Sequence, residues 1–134
     1  MGVRFKIHPD IGLLVVKSGS GEITHEELYK FGKIIRRRAD FPDIFYTLID
    51  LRGAIISFEE KVINDFLKLV EDYKNVDNQK AIVYIIDKPS STAIIHVFID
   101  KVRLNRSYCS TDKKAYDLLG LGISLQEFQE LIDI

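Results

Sequence analysis

Two runs in this chain, Phe45-Tyr46-Thr47-Leu48-Ile49-Asp50 and Ala81-Ile82-Val83-Tyr84-Ile85-Ile86-Asp87, are apolar or neutral along their length and end in a carboxylate. A strand with one wet face alternates polar and apolar residues. A run without alternation is buried on both faces, the condition of a parallel strand with helices on either side. Between the two runs, Val62, Phe66, Leu69, Val70 and Tyr73 recur at helical spacing, so strand, helix and strand form a right-handed crossover unit. The pair is expected at the centre of an α/β sheet. Each strand then delivers the chain to the sheet's C-terminal edge, where such folds usually build sites.

The remaining segments arrange themselves around that pair. Val3-Arg4-Phe5-Lys6-Ile7 alternates, His8-Pro9-Asp10 turns, and residues 11–17 make a second strand, which gives an N-terminal hairpin. Ser18-Gly19-Ser20-Gly21 reads as a flexible connector, since it has neither the GxGxxG spacing nor the GK[ST] ending of a phosphate loop. Thr24-His25-Glu26-Glu27 is a capping box, with Leu28, Phe31, Ile35 and Ala39 inward and His25 exposed in the first turn. Arg36-Arg37-Arg38 reads as a solvated helix end that complements the dipole, with a phosphate-binding patch as the alternative. Ser57-Phe58-Glu59-Glu60 is a second capping box, in which Ser57 opens the next helix. A helix over residues 92–103 is apolar almost all round and is expected to be covered on more than one side, with His96 buried and hydrogen-bonded. Residues 105–110 form a short edge strand, residues 112–119 a helix stopped by Gly120, and residues 124–132 a last helix carrying Leu125, Phe128, Leu131 and Ile132. The prediction is one α/β domain over residues 1–134, a mixed sheet of about five strands with helices packed on it.

Composition removes several functions. Nineteen basic and twenty acidic residues leave a formal net charge of -1, so no strong field recruits nucleic acid or an anionic membrane. The single cysteine, Cys109, cannot form an intramolecular disulfide and fits a reducing compartment. The N-terminal stretch has no apolar h-region, and no apolar run approaches the ~20 residues of a membrane span. The expectation is a cytoplasmic protein without stable membrane association. No nucleophile elbow, zinc ligand set or Walker loop is present, so neither an enzyme nor a cofactor is expected. Asp50 and Asp87 read as caps of neighbouring loops rather than as an acid–base pair.

The order of elements, with Asp50-Leu51-Arg52-Gly53 ending the central strand and Lys113-Lys114-Ala115-Tyr116-Asp117-Leu118-Leu119 as the late helix, resembles the STAS-like fold. That is the fold of the anti-sigma-factor antagonists and of the cytoplasmic domain of sulfate transporters. The resemblance runs over residues 3–119, with the helix at 124–132 as an extra element. It implies a non-catalytic regulatory or interaction module with a protein partner. In the antagonists a serine at the helix start after the central strand is phosphorylated, and Ser57 is the matching position. The family's D-S-[ST]-G-L turn is replaced here by Ile55-Ile56-Ser57-Phe58-Glu59.

The candidate interaction or phosphorylation surface is therefore Asp50, Arg52, Ser57 and Phe58. A second reading draws on lipid-transfer domains of the Sec14 type, which lie near this fold. It is a small apolar-ligand site lined by Ile94, Ile95, Phe98 and Ile99. The apolar helix at 92–103 and the short terminal helix also lead to an expected homodimer, in which the terminal segment covers that helix within the chain or from a two-fold partner.

Overall fold

The period-2 alternation of three neighbouring strands assigns every helix to a face. In this computed structural model, which describes residues 3–19, 21–57, 59–102 and 105–134, the chain forms a five-stranded mixed sheet. Its spatial order is β1 (Val3–His8), β2 (Leu13–Ser18), β4 (Tyr46–Asp50), β6 (Ala81–Ile85) and β7 (Arg106–Cys109). β1 and β2 are antiparallel, and the pairs β2–β4, β4–β6 and β6–β7 are parallel. The register aligns Leu14, Thr47, Ile82 and Arg106 in one row and Val16, Ile49, Tyr84 and Tyr108 in the next on the same face.

Helices α1 (His25–Arg36), α2 (Glu60–Asp72) and α3 (Pro89–Val102) cover that face through Ile35, Ile63, Leu69, Ile95, Phe98 and Val102. On the opposite face Leu13, Val15, Leu48, Val83 and Ile85 pack against Ala115 and Leu119 of α4 (Asp112–Leu119) and Phe128 and Ile132 of α5 (Leu125–Ile132). Burial on both faces is why β4 and β6 lack alternation.

Hydroxyl caps and a glycine stop fix several helix ends, the caps at Thr24 and Ser124 and the stop at Gly120 as expected and the cap at Thr111 in addition. The Thr24 hydroxyl accepts the Glu27 amide at 3.2 Å, and Thr111 and Ser124 do the same for Lys114 and Glu127. Gly120 ends α4 with φ +61°. At the hairpin, Gly12 has φ +65°, and its carbonyl accepts the amides of Phe45 at 2.8 Å and Tyr46 at 3.0 Å. A Cβ there would lie 2.5 Å from the Phe45 ring, so only glycine lets the hairpin seat the start of the central strand.

Several expectations are corrected. Gly21 is not part of a flexible connector: β3 (Gly21–Thr24) pairs in parallel with β5 (Ala54–Ser57) as a separate two-stranded sheet. Ser57 therefore ends a strand and caps no helix; α2 begins at Glu60 after Glu59, whose side chain makes no capping bond. Ser20, Phe58 and Arg103 lie outside the described residues. The first helix ends at Arg36, which leaves Ala39 beyond it, and α3 starts three residues early because Pro89 suits a first helical position.

The arrangement of the two apolar helices also differs from expectation. α5 does not cover α3, since the two pack on opposite faces of the sheet. α3 buries one side only, with Val97 44% exposed and His96 exposed, its Nδ1 3.1 Å from the Tyr108 hydroxyl. No helix among the described residues is long and apolar enough to cross a membrane.

Because Phe128 is fully buried against the sheet, Phe128→Ala should cost about 3 kcal/mol or more, whereas Val97→Ala should cost under about 0.5 kcal/mol. Urea unfolding followed by far-UV circular dichroism checks both; equal losses would contradict this placement of α5 and α3.

Candidate functional site

The C-terminal ends of β4 and β6 hold the residues that the sequence singles out, and there the charges satisfy one another. Arg52 grips the buried Asp50 with a fork, Nε to Oδ1 at 3.0 Å and Nη2 to Oδ2 at 2.8 Å, while its backbone amide donates to the same carboxylate at 3.1 Å. The guanidinium also lies 2.7 Å from Asp112 at the start of α4. The hydrogen bond to Asp50, followed by the charges of both carboxylates, raises the Arg52 pKa and fixes its charge. Asp87 accepts the Gly53 amide at 3.0 Å. Nearby, burial pushes the Cys109 thiol up, away from the reactive thiolate.

Ser57 lies one strand further on. Its carbonyl is bonded by Nδ1 of His25, whose Nε2 lies 2.7 Å from the Glu59 amide. The ring therefore bridges the Ser57 carbonyl and the Glu59 amide. His25 is half-buried, in contrast to the exposed position expected of it, and ties the start of α1 to the end of β5. The structure thus brings Asp50 and Arg52 together and leaves Ser57 in a separate backbone network.

A different site occupies the face under α1–α3. A chamber of about 90 Å³ is floored by Leu14, Val16, Thr47, Ile49, Ile82 and Tyr84 of the sheet. Its walls are Leu28, Phe31 and Ile35 from α1, Val62, Ile63 and Phe66 from α2, and Ile95 and Phe98 from α3. Of the proposed apolar lining, Ile95 and Phe98 line this chamber, while Ile94 and Ile99 pack against the adjoining core. Gly32 sits where α1 meets Phe66 and Leu69 of α2; a Cβ there would stand 3.3 Å from the Phe66 ring.

Two arginines line this otherwise apolar space. Arg36 is only 7% exposed, against the expectation of a solvated helix end. Its guanidinium lies between the rings of Phe41 and Phe66, at 5.5 and 5.4 Å from their centroids. One Nη donates to the Gly32 carbonyl at 3.2 Å, and the buried Nε has no partner. Burial, and after it the charge of Arg106, lowers the Arg36 pKa to about 10, so the group stays charged at neutral pH. Arg106 stacks near Phe66 and Phe98 at 5.6 and 5.9 Å and donates to the Tyr84 hydroxyl at 2.7 Å. Among the described residues, neither guanidinium has a carboxylate within ion-pair distance.

A second cavity of about 290 Å³, lined by Val70, Lys74, Asp77, Gln79, Ile82, Asn105 and Arg106, shares Gln79, Ile82 and Arg106 with the chamber. It lies at the N-terminal ends of β6 and β7, the edge opposite to the one favoured by the sequence. No group of three or more His, Cys, Asp or Glu residues among those described could hold a metal ion.

Sequence reasoning missed both arginines as chamber residues. Arg106 carries a signal, since it falls in the row of Thr47 and Ile82 once the edge strand is in register. Arg36 carries a weaker one: it follows Ile35 on the inward side of the helix.

No family model matches the chain, and no curated protein matches it. Among solved structures, the chain is similar to an uncharacterized protein of the DUF3478 family with a SpoIIAA-like fold from Shewanella loihica PV-4. The identity is 21%, over 88% of this chain and 94% of that one, with a TM-score of 0.58. That likeness shows the fold, and the STAS-like architecture read from the strand order is the one observed.

An unpaired charge under helices costs the folded state even where aromatic rings offset part of it. Arg36→Met, which keeps the apolar stem and removes the charge, should leave the ligand-free protein at least as stable as wild type, with a gain of about 1 kcal/mol. Thermal unfolding monitored by circular dichroism provides the measurement. A lowered Tm would show that the Gly32 bond and the ring contacts outweigh the burial cost.

Proposed function

We propose that the protein is a non-catalytic cytoplasmic binding module that takes a small, largely apolar ligand into the chamber between its sheet and helices α1–α3. The supporting observation is the chamber itself, lined mainly by apolar side chains from three helices and four strands and sharing Gln79, Ile82 and Arg106 with a wider cavity. Sites of this kind are concave and mostly apolar, with a few polar groups that orient the ligand. Filling a void also restores dispersion contacts that its lining lacks.

A second reading, a protein-interaction role of the antagonist kind, is favoured by one feature. On β5, Ile55 and Ser57 alternate outward with the buried Ala54 and Ile56, and Ile55 is 53% exposed. That strand pairs with β3, and Arg52 lies on the loop leading into it. Exposed aliphatic surface beside a serine offers a docking edge to a regulatory partner. Loss of a specific partner on Ile55→Asp, with the fold unchanged, supports this role; unchanged partner recovery counts against it.

For the ligand reading, 1-octanol should raise the Tm of the wild-type protein in a saturable manner. Ile49→Phe, which extends a ring from the sheet floor into the chamber, should abolish the shift at a stability cost of about 1–3 kcal/mol. The same dose response in wild type and Ile49→Phe would remove the chamber as the ligand site.

A further inference from the structure

The chamber's two arginines specify the chemistry of its occupant. We propose that the ligand is an amphiphilic monoanion, a carboxylate on an aliphatic tail, with its head held between Arg36 and Arg106 and its tail lying toward Leu28, Val62 and Phe98. This inference rests on the chamber as a ligand site and adds the identity of the head group.

Three observations carry it. Arg36 is buried, and its Nε points at no acceptor, so a fork donor built for two parallel bonds has one arm unused. Arg106 approaches the same Phe66 ring, and its positive charge further lowers the pKa of Arg36, an effect that the more distant Asp77 carboxylate opposes without pairing with either guanidinium. No carboxylate among the described residues comes within ion-pair distance of either. A ligand carboxylate between them would accept from the free Nε and relieve the repulsion in one step.

Polarity also runs in one direction through the site. Lys74, Asp77, Gln79, Asn105 and Arg106 line the wider cavity, while the chamber beyond Arg36 is walled by Leu28, Val62, Ile95 and Phe98. A head left at the arginines therefore places its tail in the apolar space. A cationic amphiphile would place like charge against two guanidinium groups, and a neutral head that accepts from Nε would still leave both charges uncompensated.

The test is isothermal titration of octanoate, 1-octanol, octyl phosphate and octyltrimethylammonium, each below its micellar concentration. The proteins are wild type, Arg36→Met, Arg106→Met and Arg36→Lys, each first shown folded by circular dichroism. Octanoate should bind wild type at least about tenfold tighter than octanol. Each Met variant should bind octanoate no more tightly than that same variant binds octanol, and Arg36→Lys should recover part of the wild-type difference. Tighter binding of octyl phosphate than of octanoate overturns the carboxylate assignment. Equal affinity for octanoate and octanol in wild type overturns the anionic head while leaving the chamber as an apolar site. Preference for the ammonium compound overturns the sign of the charge. Absence of binding by all four overturns the chamber reading itself. Arg106→Met, on an edge strand and half-buried, serves as the independent variant should Arg36→Met fail to fold.

Discussion

Everything in this structure depends on β4 being hydrogen-bonded on both sides by parallel strands. With β2 at one side and β6 at the other, its backbone groups are satisfied along its length, and its side chains must divide between two dry faces. Leu48 goes to one face and Thr47 and Ile49 to the other, and the neighbours in register follow. A slip of one residue would send Leu13, Val15 and Val83 toward α1–α3 and carry Arg106 to the opposite side. The register that completes the core under α4 and α5 is therefore the same register that lays the chamber floor.

That dependence explains which parts were readable from the chain. The central strands, α4 and α5 follow from strong local signals: unbroken apolar runs, a hydroxyl cap at Thr111 and Ser124, and a glycine stop at Gly120. β3 and β5 had no such signal. Each is four residues long, one begins with Gly21, and they lie far apart in sequence. Their pairing comes from tertiary contact, in which Ile23 and Ile56 are pressed into the core beside Leu51 and Ala54. Ser57 has the local sequence of a cap, and strand pairing with Thr24 overrode that preference.

The charged residues show the same limit more sharply. A run of three arginines at a helix end ordinarily describes a wet terminus, and Arg37 and Arg38 are exposed as expected. Arg36 is the last residue of the helix, and Arg37 and Arg38 follow it outside α1. At helical spacing it follows Gly32, the residue that lets α1 approach α2, so its stem enters the same seam and its head reaches Phe41 and Phe66. Composition cannot convey this, because the deciding quantity is an angle on the helix and the absence of a side chain four residues earlier.

The two arginine sites differ in how much of their donor capacity the chain itself satisfies. Arg52 has a bidentate bond to Asp50 and a second carboxylate in Asp112, both from its own chain. An incoming anion there would have to displace two charges already in place, and would gain little. Its role is to tie the end of β4 to the start of α4, which joins the sheet to the helix layer beneath it. Arg36 and Arg106 receive from their own chain one carbonyl and one hydroxyl oxygen. The remaining donor capacity is enclosed by aromatic rings, where an electrostatic interaction is weakly screened and a bond to an anion is worth more than in water. Folding alone would be served as well by two apolar side chains at these positions. Keeping two cations in the lining of an apolar chamber, at a cost to the empty protein, is physically coherent when a bound anion offsets that cost.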